Sequence, residues 1–335
     1  MTRQNILIIG IIALIIVAAG LMMAFAPQET EPGPETLSVS KAPTPDEMKA
    51  LAADIAGRID GDALATLQLG DENTTAFAAL RDQLNAIRAV NSEILYIYIM
   101  RKAGDAVEYV VDADYGGDGA EIGYAYHPTD ADAAFLAGFT EPSAESGFYV
   151  GEWNGTVYTA ISGYAPIKDS TGAVVGQLDV DVGSVVTEET LKNLAAEAAA
   201  RIDGDVLAAL EPGDEETPAF IAVRDQLDAF RDTNPGVLYA YTMRKVGNTT
   251  EYIVDADYGS SIYAAAIGDI YVPTEEEPPY LTGFVEPSAK FEIYTAQWGN
   301  ITATIISGYA PVKDSTGAVV GLVGVDMGSE EVTDR

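Results

Sequence analysis

Apolar positions follow two periods along this chain, and the change from one to the other occurs twice. Met48, Leu51, Ile55 and Ile59 are spaced as one face of a helix, and Leu191, Leu194, Ala198 and Ile202 repeat that spacing 143 residues later. A second helical stripe, Phe77, Leu80, Leu84 and Ile87, returns as Phe220, Val223, Leu227 and Phe230, where Thr217 and Pro218 make a favourable cap and first turn. The period then drops to two. Ile94–Arg101 and Val107–Asp114 alternate as strands about Lys102-Ala-Gly-Asp105, and their counterparts flank Lys245-Val-Gly-Asn248. After a long irregular section, Thr156–Lys168 and Ala173–Val182 form a second hairpin about Asp169-Ser-Thr-Gly172. The order helix, helix, hairpin, crossing segment, hairpin predicts an α+β fold with one mainly antiparallel sheet per repeat and helices segregated to it.

The duplication is also literal. Arg58-Ile-Asp-Gly-Asp62 recurs as Arg201-Ile-Asp-Gly-Asp205, Tyr96–Lys102 as Tyr239–Lys245, and Val111–Gly116 as Val254–Gly259, all at an offset of 143. Ser162–Gly176 returns as Ser307–Gly321 at an offset of 145 with one change, so two residues entered the intervening stretch, which reads as a loop face. These strings predict two tandem domains, residues 45–184 and 187–329, followed by a short tail, 330–335.

Ahead of them, Ile6–Ala26 is an uncharged apolar run of 21 residues, close to the ~20 that a helix needs to span a bilayer. Arg3 precedes it and Glu29, Glu31 and Glu35 follow, which places residues 1–5 in the cytoplasm, residues 6–26 in the membrane and the rest outside. The alternative is a cleaved leader ending at Ala24-Phe25-Ala26; the length of the run favours a retained anchor. Residues 27–44, rich in Pro and Glu, read as a linker. The expected location is thus the cell membrane, single-pass, with the bulk of the chain extracytoplasmic. No cytoplasmic output module is expected beyond the second repeat.

Composition narrows the chemistry. Asp and Glu number 52 against 18 Lys and Arg, so the chain repels phosphate backbones, and nucleic acid is not an expected partner. With no Cys and one His, thiolate nucleophiles, disulfides, Cys/His zinc sites and a duplicated His-based triad are all unavailable. No nucleophile, metal cluster or phosphate cradle accompanies the carboxylates; no enzymatic activity and no cofactor are expected.

The repeated IDGD, YIYxMRK, VVDADYG and SGYAPIKDSTGAVVG strings resemble those of Cache sensor domains. These PAS-like domains, also called PDC, belong to archaeal and bacterial sensor kinases and chemoreceptors. The resemblance covers about residues 45–329. It implies two tandem PAS-like sheets of about five strands, each with a long N-terminal helix on one face and a small-molecule pocket on the other, roofed by the segment between the hairpins. The chain departs from the amino-acid-binding subset, whose Tyr, Arg and Trp-Tyr pattern is absent at Met100-Arg101-Lys102. The ligand class is therefore left open.

Candidate ligand-binding residues follow from strand alternation and from retention in both copies. Tyr96, Tyr98 and Met100 share one strand face, and Tyr239, Tyr241 and Met243 keep it. Pocket residues or core residues with edge hydroxyls are both consistent with this pattern. Asp112 and Asp114, matched by Asp255 and Asp257, lead into Tyr115 and Tyr258; they suit a cationic or hydroxylated ligand, or pairing with Arg101 and Arg244, or a turn cap. Tyr164 and Tyr309 stand in the repeated SGYAP strings, and Asp181 and Asp326 near the end of the last strand, where an exposed terminus is an equal reading. Calcium is not expected, because an EF-hand count from Asp112 or Asp255 meets glycine or alanine at ligand positions. Asp60, Asp62, Asp203 and Asp205 read as turn or helix-end residues, and His127, replaced by Val272 in the second repeat, as incidental. Asn73, Asn154, Asn248 and Asn300 are sequons open to glycosylation in an exported protein.

The functional expectation is a membrane-anchored, sensor-like protein that binds a small solute and acts through a separate receptor or kinase. The opening helices leave a face for homodimerisation. The alternative is a surface structural or adhesion protein whose sensor folds have lost their pockets.

Overall fold

The computed structural model describes residues 42–129, 132–273 and 278–332. The apolar run and most of the linker lie outside the described residues, and among these no helix is long and apolar enough to cross a membrane.

Helix α1 (Pro45–Ala56) starts at a reciprocal cap: Thr44 accepts from the Glu47 amide, and the Glu47 carboxylate accepts from the Thr44 amide. A short helix α2 (Gly61–Thr66) follows, capped by Asp60, then α3 (Thr75–Val90), whose Phe77, Leu80 and Leu84 are buried. The hairpin β1 (Ile94–Ala103) and β2 (Ala106–Asp112) comes next. The crossing segment is more regular than its sequence suggests. It contains β3 (Ala125–Tyr126), a five-residue helix α4 (Ala133–Ala137), β4 (Ser143–Ala144) and β5 (Tyr149–Trp153). Elements this short show less than two turns or three alternations, too few for a periodic signal. β6 (Thr156–Lys168) and β7 (Val174–Val185) close the first repeat.

The second repeat has the same order: α5 (Glu188–Arg201), α6 (Gly204–Ala209), α7 (Pro218–Thr233), β8 (Val237–Val246), β9 (Thr249–Asp255), β10 (Ile270–Tyr271), α8 (Pro278–Thr282), β11 (Ser288–Trp298), β12 (Ile301–Lys313) and β13 (Val319–Val332). Both sheets are antiparallel. The first runs β3-β2-β1-β7-β6-β4 with β5 also on β6, and the second β10-β9-β8-β13-β12-β11. The chain is thus α+β, with two tandem PAS-like sheets in which the first hairpin docks beside the last strand.

Alternation divides each sheet into two faces. Ile97, Ile99 and Val110 pack with Ile55, Phe77 and Leu84 beneath the helices. Met100, Val107 and Tyr164 lie on the other face with Phe135 and Phe139 of the crossing segment. The repeated IDGD string has a structural role in both copies. Asp60 and Asp203 cap α2 and α6, while Asp62 accepts from the Ser170 amide and hydroxyl, and Asp205 likewise from Ser315. Each second aspartate therefore fastens the short helix to the turn between the last two strands, more than a hundred residues away in sequence.

The repeats share a core. Val150 and Val157 of the first repeat belong to the same buried cluster as Leu191, Ala195 and Phe230 of the second. On β5, Tyr149 lines the cavity described below while Val150 is buried in that second core.

Candidate functional site

On the face of each sheet away from the helices, aromatic side chains enclose a cavity. In the first repeat it measures about 970 Å³ and is lined by Tyr98, Tyr109, Tyr149, Tyr158 and Tyr164 from the sheet, and by Phe135 and Glu145 from the crossing segment. It continues to the Asn234–Val237 turn and the Gly328–Val332 end of the second repeat. In the second repeat a cavity of about 480 Å³ is lined by Tyr239, Tyr241, Tyr252, Tyr263, Trp298, Asp255 and Asp326.

The strand register explains the lining. Across β1 and β7, Tyr96 faces Asp181, Tyr98 faces Asp179 and Met100 faces Gln177; across β6 and β7, Ser162 faces Asp181 and Tyr164 faces Asp179. Period-two alternation places all of these on one face. Ser162 donates to Asp181 at 2.5 Å and meets the Tyr149 hydroxyl at 2.9 Å, while the Tyr164 hydroxyl donates to Glu145 at 2.9 Å. Asp181 is 2% and Asp326 3% exposed, so neither sits at an open strand terminus. Burial pushes both carboxyls up to about 7, against the stabilising hydroxyls of Ser162 and Tyr98 in one repeat and Ser307 and Tyr241 in the other. Burial likewise raises Glu145, opposed by the Tyr164 bond, and holds the Tyr98 and Tyr241 phenols well above their ordinary value. These tyrosines are neutral donors across the physiological range.

The expected site residues divide into two sets. Tyr98, Tyr164, Asp181, Tyr239, Tyr241, Asp255 and Asp326 lie at or beneath the cavities. Tyr96 packs edge-on against Tyr158, with ring centroids 5.2 Å apart. Tyr309 is buried beneath the roof with Tyr280, its ring 5.5 Å away.

The others face elsewhere. Arg101 stands opposite Glu108 across the hairpin and pairs with it at 2.6 Å, and Arg244 pairs with Glu251 at 2.5 Å; both also donate to a helix-end carbonyl, Leu67 or Leu210. The expected pairing of these arginines with the aspartates is corrected: Asp114 takes a two-pronged bond from Arg88 at 2.7 Å, and Asp257 one from Arg231 at 2.7 Å. Helix α3 or α7, rather than the neighbouring strand position, supplies the cation, because Asp114 and Asp257 lie just beyond the strand end. Asp112 accepts from the Asp114 and Ala120 amides, and Asp255 from those of Asp257 and Ala265. These carboxylates clamp the loop that follows, the turn-cap reading. Tyr115 and Tyr258 meet Phe77 and Phe220 edge-on, with ring centroids 4.9 and 5.3 Å apart, on the helix side.

Asn73, Asn154 and Asn248 sit in exposed turns. The Asn154 amide donates to the Asp118 carbonyl, and Asn300 accepts from the Tyr263 hydroxyl. His127 is exposed.

Gln177, Asp179 and Glu145 escaped the sequence reading. Only the first copy carries them, and a comparison of repeats selects what is shared. The signal available was the alternation Gln177, Asp179, Asp181 on one strand face.

No protein-family model matches the chain, and no curated protein matches it. Solved structures similar to it include the ligand-binding domain of the Campylobacter jejuni chemoreceptor Tlp3 in complex with L-valine, at 12% identity over 84% of this chain and 82% of that one, TM-score 0.28. The sensor domain of the V. cholerae histidine kinase DctB is similar at 9% identity over 84% and 87%, TM-score 0.31. The ligand-binding domain of the Pseudomonas aeruginosa amino acid chemoreceptor PctC in complex with GABA is similar at 14% identity over 84% and 90%, TM-score 0.25. At these scores the site rests on its own geometry.

Proposed function

We propose that this chain is a membrane-anchored, extracytoplasmic protein of the sensor type, which binds a small solute in its aromatic cavities and acts through a separate receptor or kinase. The observation that carries this reading is the cavity of the first repeat: a concave space lined by Tyr98, Tyr109, Tyr149, Tyr158 and Tyr164 and by Glu145, under a roof formed by the crossing segment. A solute there touches both sheet and roof, and favours whichever arrangement of the two it fits best. Tyr149 and Val150 give such a change a route, because one lines the cavity and its neighbour lies in the core of the second repeat.

The test is a thermal-shift screen of the full chain against amino acids, carboxylates, amines, sugars and metal ions, repeated with Tyr98→Ala and Tyr241→Ala. A ligand at a hundred times its Kd adds ~2.7 kcal/mol of stability. Saturable stabilisation by one chemical class, lost in a folded variant, supports the reading; no stabilisation by any class sinks it.

A further inference from the structure

Two neighbouring buried side chains of the first repeat each leave an acceptor unfilled. Gln177 and Asp179 lie two apart on β7, and both are 0% exposed. Gln177 Nε2 donates to Asp179 Oδ1 at 2.7 Å, yet Gln177 Oε1 and Asp179 Oδ2 have no hydrogen-bond partner among the described residues. Native folds fill nearly all such atoms. Neither residue lines the cavity, so a solute held there does not supply the missing bonds.

The donors packed around the pair are committed elsewhere. Tyr98, opposite Asp179 on β1, bonds Asp181, and Tyr164, opposite it on β6, donates to Glu145. The roof supplies none either. A Cβ on Gly138, at the end of α4, would lie 2.5 Å from Gln177 Oε1, but the Gly138 amide donates back to Ala134 and Phe135. Turning the Gln177 amide over would set its oxygen against Asp179 and fill neither atom. What two adjacent acceptors lack is one proton between them.

The groups that face the pair do not favour its ionised form. Asp181 lies on the same strand and Glu145 in the crossing segment, both acids. Tyr98, Tyr109 and Tyr164 face it from β1, β2 and β6 as neutral phenols. Lys102 is engaged over the Phe139 ring, 5.0 Å from its centroid. Burial holds the Asp179 carboxyl well above its ordinary value, opposed by the Gln177 bond and reinforced by Asp181.

The second repeat lacks the pair on the same scaffold. Leu322 and Gly324 replace Gln177 and Asp179, and the roof glycine, Gly283, rests against Leu322 where Gly138 rests against Gln177.

We propose that Gln177 and Asp179 form a buried proton-binding site: a proton on Asp179 Oδ2, donated to Gln177 Oε1, closes a two-bond ring of carboxyl and amide beneath α4, and its loss to bulk water releases the roof of the first repeat alone. The raised carboxyl sets the sign. The ring is complete at low pH and is lost as pH rises, which leaves a charge and an unfilled amide oxygen under Gly138. This adds a regulation to the cavity of the ligand-binding reading. Its test reads the roof directly, so the failure of either leaves the other standing.

The test is amide hydrogen exchange of the full chain in detergent, corrected for intrinsic rates, over a series from about pH 5 to about pH 10. Peptides containing α4 should exchange at least about tenfold faster at the alkaline end, while those containing α8 stay level. Asp179→Asn, whose side-chain N–H takes the place of the proton, should hold α4 protected throughout. An infrared difference between parent and Asp179→Asn at about pH 7 should show the carbonyl band of a protonated carboxylic acid in the parent only. The comparison of α4 with α8 within the parent needs no variant and stands if Asp179→Asn does not fold. If α4 tracks α8 over the whole series, or opens in Asp179→Asn as it does in the parent, the released roof is overturned. If the acid band does not differ between the two proteins, the proton site itself is overturned.

Discussion

Tyr241 lies over Gly324: a Cβ added at position 324 would come within 2.4 Å of the tyrosine ring. The same cross-strand pairing in the first repeat joins Tyr98 to Asp179. One repeat spends this space on a ring and the other on a carboxylate. Gly324→Ala must displace the ring, an overpacking that costs about 1–3 kcal/mol. The expected result is a lower melting temperature by several degrees, with Tyr241→Phe, which leaves the ring in place, failing to relieve it.

Stability should fall as pH rises from about 4 to about 7. Asp181 and Asp326 have folded-state values of about 7 against an ordinary 3.8, so in that window the folded chain holds protons that the unfolded chain has released. Their contribution is fully present below the lower value and lost as pH passes the upper one. Burial raises Asp179 in the same direction. Asp181→Asn removes one of these ionisations, and melts at about pH 5 and pH 8 should show a shallower loss than the parent, by on the order of 2 kcal/mol. A slope identical to the parent's would refute the assignment.

Arg88→Ala should destabilise the first repeat by about 1–3 kcal/mol, because it strands Asp114 at a site where both of its oxygens are engaged at 2.7 Å. Asp114→Asn should cost less, since its amide oxygen still accepts from the guanidinium. Denaturant titration of the two variants separates a lost ion pair from a stranded charge.

Gly236 holds the contact between repeats. Its φ is +91°, in the left-handed region, and a Cβ there would lie 2.6 Å from the Thr159 hydroxyl of the first repeat. Gly236→Ala carries both penalties and should lower stability by about 1–3 kcal/mol. Adding Thr159→Ala should recover the steric part and leave the backbone part, which a double-mutant cycle measures.

The sheet and its two faces were legible because Tyr96, Tyr98 and Met100 alternate strictly with Ile97 and Ile99, and because the strand ends are marked by glycine turns. The same alternation already placed Arg101 with the isoleucines, away from the cavity. Its partner Glu108 follows from the hairpin register alone. Arg88 was not legible as the partner of Asp114, since only the packing of α3 on the sheet brings residues 26 apart in sequence together. The roof was expected over the segment between the hairpins, but its helix was not legible, because α4 has only five residues.

Val150 and Val157, contributed by the first repeat to the core of the second, bear on how the two halves melt and drift. A chain cut between the repeats would bare these valines and the surface they cover. The intact chain should therefore lose both halves in a single calorimetric transition. Substitutions on β5 are then constrained twice over: by the cavity at Tyr149 and by a foreign core one residue later. The duplicated halves are no longer free to diverge as independent modules.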